Sequence, residues 1–251
     1  ILLKCTWAKP NAIQVFSRED LDLLSAYMKA GGETKRLSIL LAQSIDMGDA
    51  PFTPMGTEEH PFDGSFDGQG YSIRGLRVDT TAAGGPAGLF GAASDSSTIQ
   101  NLALIDPDVQ GGDGVGALAG MTAGSVRRCY AAASSVYPWS SSAGSAQVRG
   151  NSNVGGLIGQ LSGENNASAN VLALKDNAGG LVGRVDLTAA GVDKGISRCY
   201  TVGRVTSQGR YAGGIYGRSF TGERLRLQAL LVMSPSIMNS AADNNCAIGG
   251  D

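Results

Sequence analysis

Few residues of this chain could carry out acid–base or nucleophilic chemistry. The chain has a single histidine, His60, in the sequence Glu58-Glu59-His60-Pro61. No His-Glu-x-x-His sequence occurs, so the paired histidine ligands of a zinc metalloprotease are missing. A Ser-His-Asp or Cys-His arrangement would have to use His60, which precedes a proline in a predicted loop. We therefore expect a solvated loop histidine, no catalytic residue, no metal site and no cofactor.

Two pairs of aspartates are the remaining candidates for catalysis: Asp63 with Asp67, and Asp106 with Asp108. A polysaccharide lyase or hydrolase would place such carboxylates, commonly with Lys, Arg or Ca²⁺, on neighbouring strands of one face. Both members of the first pair precede a glycine, however, and Asp-Gly is a turn dipeptide in which the aspartate bonds its own backbone. A proline separates the second pair, which suits a loop leaving a strand. The sequence favours turns over catalysis or calcium binding.

Aromatic residues mark a candidate binding site. The longest gap between the repeated motifs described below runs from residue 131 to residue 153 and contains Tyr137-Pro138-Trp139 among Ser, Ala and Gly. Long loops on a repeat scaffold are natural binding sites, and exposed Tyr and Trp stack on sugar rings or anchor protein partners. Tyr137 and Trp139 are therefore predicted ligand-binding residues. Alternatively, both side chains fold back and cover the side of the scaffold.

The overall charge argues against nucleic acid and anionic membranes as partners. The 251 residues carry a formal net charge of −2, and a nucleic-acid or anionic-membrane partner would require clustered Lys and Arg. Six arginines recur at comparable places and could form a mild basic strip or a solvated outer face. These residues are Arg127, Arg128, Arg198, Arg204, Arg210 and Arg218. We expect no nucleic-acid partner.

No stretch of the sequence approaches the roughly 20 apolar residues of a membrane-spanning helix, so we expect no membrane insertion by this segment. The opening Ile1-Leu2-Leu3-Lys4 is too short for a signal peptide. Export would therefore depend on a signal that is absent from these 251 residues.

An internal repeat dominates the sequence. Five segments share a pattern in which two glycines enclose apolar residues, and four of them follow a small or apolar lead-in. The segments are Gly88-Leu89-Phe90-Gly91, Gly116-Ala117-Leu118-Ala119-Gly120, Gly156-Leu157-Ile158-Gly159, Gly180-Leu181-Val182-Gly183 and Gly214-Ile215-Tyr216-Gly217. The closing glycines are residues 91, 120, 159, 183 and 217, at steps of 29, 39, 24 and 34. A constant motif at uneven steps indicates stacked repeats joined by loops of variable length.

A second pattern follows each glycine motif and alternates apolar with polar residues, which is typical of a half-buried strand. The copies begin at Ile99, Val126, Asn170, Ile196 and Leu225. Two copies contain Arg-Cys-Tyr, so Cys129 and Cys199 are expected to point inward at equivalent places. Glycine is expected at the motif positions because some corners need a positive φ and because adjacent backbones approach closely.

The repeats resemble the GLUG motif of bacterial extracellular proteins, which is named for Gly-Leu-x-Gly. Residues 61–76, from Pro61-Phe62-Asp63-Gly64 to Arg74-Gly75-Leu76, are similar to the segment that leads into such repeats. The resemblance covers roughly residues 10 to 235. It implies an exported cell-surface protein, and the same repeats also occur as accessory regions of large surface proteases.

These observations predict an all-β chain: a parallel β-solenoid, or β-helix, of Gly-Leu-x-Gly repeats in one domain over residues 1–251. Residues 1–36 form an N-terminal cap region, with a helix over 17–30 that Ser17 and Asp20 begin and Gly31-Gly32 ends. A strand is expected from Leu37 to Ile45, repeat rungs over 37–232 and an irregular end over 233–251.

The predicted function is a non-catalytic extracellular or cell-surface module for adhesion or for binding glycan or protein. A carbohydrate-active β-helix enzyme with an unrecognised carboxylate site is the second hypothesis. A structural spacer within a longer surface protein is the third.

Overall fold

The structure is a computed structural model that describes residues 12–48, 50–134, 147–161, 170–173, 176–187, 195–197, 200–221, 226–228, 231–239 and 245–246. These residues form a mostly β structure in which the described part of the chain contains one α-helix. Most strands are only two to six residues long, as expected for a chain that turns a corner after each short strand.

The elements follow one another along the chain. The first are β1 (Ala12–Val15), α1 (Arg18–Lys29), β2 (Ser38–Leu41), β3 (Ile45–Asp46), β4 (Ser65–Asp67), β5 (Ser72–Arg74), β6 (Arg77–Asp79), β7 (Phe90–Ala93), β8 (Thr98–Gln100) and β9 (Ala103–Ile105). Next come β10 (Asp108–Gln110), β11 (Asp113–Gly116), β12 (Ala119–Thr122), β13 (Ser125–Arg127), β14 (Tyr130–Ala132), β15 (Gln147–Gly150), β16 (Ser152–Gly155), β17 (Ile158–Leu161) and β18 (Asn170–Ala173). The last are β19 (Ala178–Gly179), β20 (Val182–Leu187), β21 (Gly195–Ser197), β22 (Tyr200–Ser207), β23 (Ala212–Gly213), β24 (Tyr216–Thr221), β25 (Arg226–Gln228), β26 (Leu231–Asn239) and β27 (Asn245–Cys246).

Strands from successive repeats lie side by side, and every pairing between the named strands is parallel. The first sheet has the order β1-β2-β4-β8-β13, the second β3-β5-β9-β14 and the third β6-β10-β15-β18-β22-β26. The lead-in sheet has the order β11-β16-β19-β23-β27, and the motif sheet β7-β12-β17-β20-β24. A further sheet pairs β21 with β25. Between Thr98 and Thr122 the chain therefore visits five sheets in turn.

The motif sheet contains the five predicted glycine motifs in consecutive order. The residue before each closing glycine is in register with its counterpart in the next repeat. The register runs Phe90, Ala119, Ile158, Val182, Tyr216. The apolar residue that follows the opening glycine, such as Leu89, Leu157 or Ile215, is fully buried. The predicted stacking of the motif and the inward direction of its apolar residues are thus confirmed.

The motif glycines are required by close backbone approach. A Cβ on Gly159 would lie 2.2 Å from the backbone nitrogen of Val115, and one on Gly183 would lie 2.3 Å from that of Val154. Val115 and Val154 are the lead-in residues of the preceding repeats, which pair in register in the lead-in sheet. Reciprocally, a Cβ on Gly116 would lie 2.5 Å from the carbonyl oxygen of Leu157 in the next repeat. The two sheets therefore meet backbone to backbone, at a distance that leaves no room for a side chain.

The positive-φ corners lie elsewhere than predicted. Gly91, Gly120, Gly159, Gly183 and Gly217 all lack a positive φ. The left-handed conformation occurs instead immediately before each lead-in residue. The residues concerned are Gly114 (φ 73°), Asn153 (55°), Asn177 (64°) and Tyr211 (63°). Gly and Asn suit this conformation, whereas a bulky residue such as Tyr adopts it rarely.

The predicted alternating strand is two strands in two sheets. β8 and β9 are separated by Asn101 (φ 54°), and β13 and β14 by Arg128 (φ 51°). The left-handed residue turns the chain from the first sheet to the second, so Leu102 and Cys129 after it are both buried. The prediction treated a sharp corner as continuous alternation, because the inward positions on either side of the corner preserve the apolar pattern.

One companion segment was assigned to the wrong position. β18, at residues 170–173, pairs with β15 and β22 in the third sheet, with Val171 opposite Val148 and Val205. It is therefore equivalent to Val109 of β10 rather than to Ile99 of β8. The fourth and fifth copies pair with each other in a sheet of their own, with Ile196 of β21 opposite Leu227 of β25.

The helix agrees with its prediction. Ser17 caps α1 and accepts a hydrogen bond from the backbone N–H of Asp20, whose carboxylate accepts one from the backbone N–H of Ser17. Leu21, Leu24 and Met28 are buried, and Gly31 follows the helix with a φ of 79°.

The N-terminal region also differs from prediction, because β1 precedes the helix and pairs with β2. α1 is therefore a crossover between two parallel strands. The strand expected from Leu37 to Ile45 is divided into β2 and β3, which belong to different sheets.

The far end of the chain also contains strands. β26 crosses residue 233, where the irregular end was predicted to begin, and pairs with β22. β27 adds a strand to the lead-in sheet.

We predict that Gly159→Ala destabilises the protein by about 1–3 kcal/mol or more, because the added methyl meets fixed backbone atoms. The measurement is the midpoint of denaturant unfolding. Gly85→Ala is the matched control, since nothing lies within 4 Å of its added Cβ and its φ is not positive. Equal stability of the two variants would contradict the close-approach explanation.

Candidate ligand-binding surface

The connection between the second and third sheets carries an insertion. In one repeat this connection is Asp106-Pro107, between β9 and β10. In the next repeat it is residues 133–146, between β14 and β15. The strands on both sides of the insertion keep their register with the preceding repeat. The insertion therefore accounts for the long step of 39 between the second and third closing glycines.

The Asp106-Pro107 connection holds both ends of this insertion. The backbone N–H of Ser134 donates to the Asp106 carboxylate at 2.7 Å, and the N–H of Gln147 donates to the Pro107 carbonyl at 2.7 Å. Asp106 also forms an ion pair with Arg74 at 3.6 Å. Tyr137 and Trp139, the predicted ligand-binding residues, lie outside the described residues. The structure does describe the two ends of the insertion, residues 133–134 and Gln147, which are called its stem below.

Two exposed tyrosines lie in or next to the second sheet, which the insertion follows. Tyr130 in β14 is 43% exposed, and Tyr71, which precedes β5, is 40% exposed. Tyr130 is in register with Ala103 of β9, which in turn pairs with Ser72 of β5. At about 4.8 Å per strand, the backbones of the two tyrosines are roughly 10 Å apart. Two exposed aromatic side chains therefore lie in or immediately before strands of the second sheet. Sequence reasoning missed both because each looked like an ordinary strand residue.

The first pair of predicted carboxylates has structural partners. Asp67 accepts a hydrogen bond from the backbone N–H of Gln69 at 2.8 Å, as the turn prediction requires. It also accepts from the side-chain amides of Gln100 and Asn101 in the next repeat, each at 2.9 Å. The Asp63 carboxylate accepts from the Ser94 hydroxyl. These carboxylates therefore tie one repeat to the next.

In the second pair, Asp106 has the loop role that the sequence favours. Asp108 begins β10, and its Oδ1 is buried without a hydrogen-bond partner in the described part of the chain. Among the described residues, no three His, Cys, Asp or Glu side chains are grouped as metal ligands.

His60 and Cys129 have the positions that the sequence predicts. His60 is exposed, its backbone N–H donates to Thr57, and its ring lies against Gly31 at the end of α1. Cys129 is buried with a free thiol, and burial raises the pKa of that thiol to about 12. Cys199 lies outside the described residues.

The predicted basic strip is divided between two places. Arg127 and Arg128 are exposed on the first sheet and at the corner after it. Arg210 and Arg218 instead lie over the ring of Tyr211, with guanidinium carbons 5.5 Å and 4.5 Å from its centroid. Arg198 lies outside the described residues, and the side chain of Arg204 is not described. Sequence reasoning missed Tyr211, although it stands where the other repeats have Gly or Asn.

The comparisons with known proteins give one relative and one structural neighbour, and no protein-family model matches the chain. The chain is 32% identical over 171 residues to halomucin of Haloquadratum walsbyi, a match that covers 68% of this chain and 2% of halomucin. The chain therefore corresponds to a very small part of that relative. Its fold is similar to the crystal structure of a candidate immunoglobulin A1 protease from Bacteroides ovatus, with a TM-score of 0.75 and 18% identity. That similarity covers 95% of this chain and 71% of the neighbour.

Within the described ranges no helix combines the length and the apolar character needed to cross a bilayer.

We predict that the Cys129 thiol resists alkylation in the folded protein. Only the thiolate reacts, and at about pH 8 a thiol with a pKa near 12 is almost entirely protonated as well as buried. Iodoacetamide treatment followed by peptide mass spectrometry should find Cys129 unmodified in the native protein and modified after unfolding. Arg127→Cys, two residues away and exposed, is the control that should be labelled in the native state. Labelling of native Cys129 at the control's rate would show the buried position to be wrong.

Proposed function

We propose that the chain is a parallel β-solenoid of Gly-Leu-x-Gly repeats that acts as a non-catalytic, extracellular or cell-surface module for binding glycan. The consecutive order of the five motifs in one parallel sheet supports the solenoid. The observation that carries the binding function is the exposed Tyr71 and Tyr130 in or next to the second sheet, which the anchored stem of the insertion follows. Flat aromatic side chains with a polar tip suit the face of a sugar ring.

The aromatic surface favours glycan over a large protein partner. Tyr130 lies in the second sheet and Tyr71 immediately before one of its strands, with backbones spaced at roughly 10 Å. Spaced aromatics on a flat face fit an extended chain of sugar rings, whereas a stable protein interface needs about 800 Å² on each partner. Tyr137 and Trp139, in the insertion that follows β14 in the sequence, are further candidate ligand-binding residues. A protein partner is the second candidate ligand.

A non-catalytic role is supported by how the carboxylates are used. Asp67 accepts three hydrogen bonds from amide groups, and Asp106 holds the insertion stem while it pairs with Arg74. Carboxylates held in this way stabilise the scaffold. An acid–base pair would instead need one carboxyl group with a raised pKa, placed opposite a second across the substrate.

Export is supported by the similarity to halomucin. Its name places it with the mucins, which are extracellular proteins. Because the matched segment is 2% of that relative, a place within a longer surface protein is compatible with the proposal.

We predict that the double variant Tyr71→Ala/Tyr130→Ala weakens binding to any neutral glycan bound by the wild type. Loss of stacked aromatic surface should raise Kd by about tenfold or more, which corresponds to about 1.4 kcal/mol. Trp139→Ala should weaken binding of the same glycan. The measurement is a glycan array followed by titration calorimetry.

Tyr27→Ala is the control for these variants, because Tyr27 is 47% exposed on the helix, away from the second sheet. Binding that is unchanged in both tyrosine and tryptophan variants would rule out the aromatic surface. Matched assays for depolymerisation of the bound polysaccharide test the non-catalytic role, and the appearance of shorter products would overturn it.

A further inference from the structure

A second face of the molecule carries an unusual concentration of charge. On the motif sheet, the outward positions in register are Met121, Gln160, Arg184 and Arg218. Beside them on the lead-in side lie the left-handed residues Gly114, Asn153, Asn177 and Tyr211. The two columns are neighbours, because a Cβ on Gly114 would lie 3.1 Å from Cγ of Met121 and the Arg218 guanidinium lies 4.5 Å from the Tyr211 ring. Charge appears only in the last two repeats of these columns.

Three features at this end of the face are unfavourable for stability. The first is Tyr211, which has a φ of 63° where the preceding repeats have Asn or Gly. The second is Arg184, which is directly in register with Arg218 on the adjacent strand, a pairing of like charges. The third concerns Asn177.

Asn177 ends a ladder of asparagine side chains. Its Nδ2 donates to Oδ1 of Asn153 at 2.7 Å. Its own Oδ1 is buried and receives no hydrogen bond in the described structure, and Asn177 as a whole is only 7% exposed. The next position in the column is Tyr211, which has no amide to donate. A tyrosine at this position therefore lowers stability in two ways. Its backbone is strained, and the buried Oδ1 of Asn177 is left without a hydrogen-bond donor.

Unfavourable features that coincide at one place indicate selection for function rather than for stability. We propose that Arg184, Arg210, Tyr211 and Arg218 form a binding site for the anionic groups, carboxylate or sulfate, of an acidic polysaccharide. Guanidinium groups bind both kinds of anion through paired N–H donors. Tyr211 positions two of them, since Arg210 and Arg218 both lie over its ring.

The electrostatics of the cluster fit this ligand. Asp176 contacts Arg210 at 3.5 Å with 59% of the arginine side chain exposed, and Asp186 contacts Arg184 at 2.8 Å. Three guanidinium groups therefore lie together on a protein whose net charge is −2. The neighbouring Gln160 and Asn153 are partly exposed amides that suit sugar hydroxyls. The ligand class is therefore a sugar chain that carries acidic groups.

The test compares two charge-matched double variants. Arg210→Gln/Arg218→Gln removes the guanidiniums over Tyr211, and Arg127→Gln/Arg128→Gln removes the same charge from the first sheet. The probes are polygalacturonate for carboxylate, dextran sulfate for sulfate and dextran as the neutral polysaccharide. We expect wild type to bind at least one acidic probe in a salt-dependent manner, and the first variant to bind it about tenfold or more weakly. The control should stay within about twofold of wild type.

Equal losses in the two double variants would overturn the site, because the effect would then be one of net charge. Failure of wild type to bind either acidic probe, or tighter binding of an acidic peptide, would also overturn it. This surface is separate from the tyrosines of the second sheet, so Tyr71→Ala/Tyr130→Ala should leave acidic-probe binding intact. Loss of either function can therefore be distinguished from loss of the other.

Tyr211→Asn provides an independent test that does not depend on reduced charge. Asparagine suits a positive φ and offers Asn177 Oδ1 a donor, so the variant should raise the melting temperature while weakening binding of the acidic probe. Tyr211→Phe, which keeps the ring, should bind like wild type. A Tyr211→Asn variant that is less stable and binds normally would show that Tyr211 serves the scaffold.

Discussion

The contact on which the structure depends is the backbone-to-backbone approach of the motif sheet and the lead-in sheet. The closing glycines Gly120, Gly159, Gly183 and Gly217 each lie against the lead-in residue of the preceding repeat, at distances that leave no space for a Cβ. This contact fixes the stacking direction, because it joins each repeat to the one before it. It also aligns the lead-in residues Val115, Val154, Ala178 and Ala212 in one buried column. The other sheets can pair in register because this contact between the motif sheet and the lead-in sheet sets the position of each repeat.

Polar side chains add a second set of connections between repeats on the outside. Asp67 is bonded to Gln100 and Asn101, Asp63 to Ser94, and Asn177 to Asn153, and in each case the partners belong to successive repeats. A carboxylate or amide side chain that bridges two strands provides hydrogen-bond partners for polar groups on both strands. Without it, these groups would have to bond to water. Residues that resemble catalytic acids in a single sequence are therefore used to hold repeats together.

The sequence predicts the buried glycine motifs well and the outer surfaces poorly, for a physical reason. Glycine spacing and the inward Leu89, Leu157 and Leu181 are dictated by packing, which leaves a pattern in the sequence. The corners at Asn101 and Arg128 leave none, because left-handed geometry there needs no glycine. Tyr71, Tyr130 and Tyr211 become noteworthy only when the register shows their neighbours in adjacent repeats. A tyrosine in a strand is ordinary, whereas a tyrosine at the end of an asparagine ladder is not.

The unequal links between the second and third sheets have a further consequence. The scaffold accommodates two residues at this junction in one repeat and residues 133–146 in the next, while the strands on either side stay in register. The entropic cost of closing a loop grows only slowly with its length. Additional residues at this connection therefore lower the free energy of unfolding only slightly. The connection between the second and third sheets is thus a loop that tolerates insertions. Its surface chemistry can change over evolution without altering the contact between the motif sheet and the lead-in sheet that holds the repeats together.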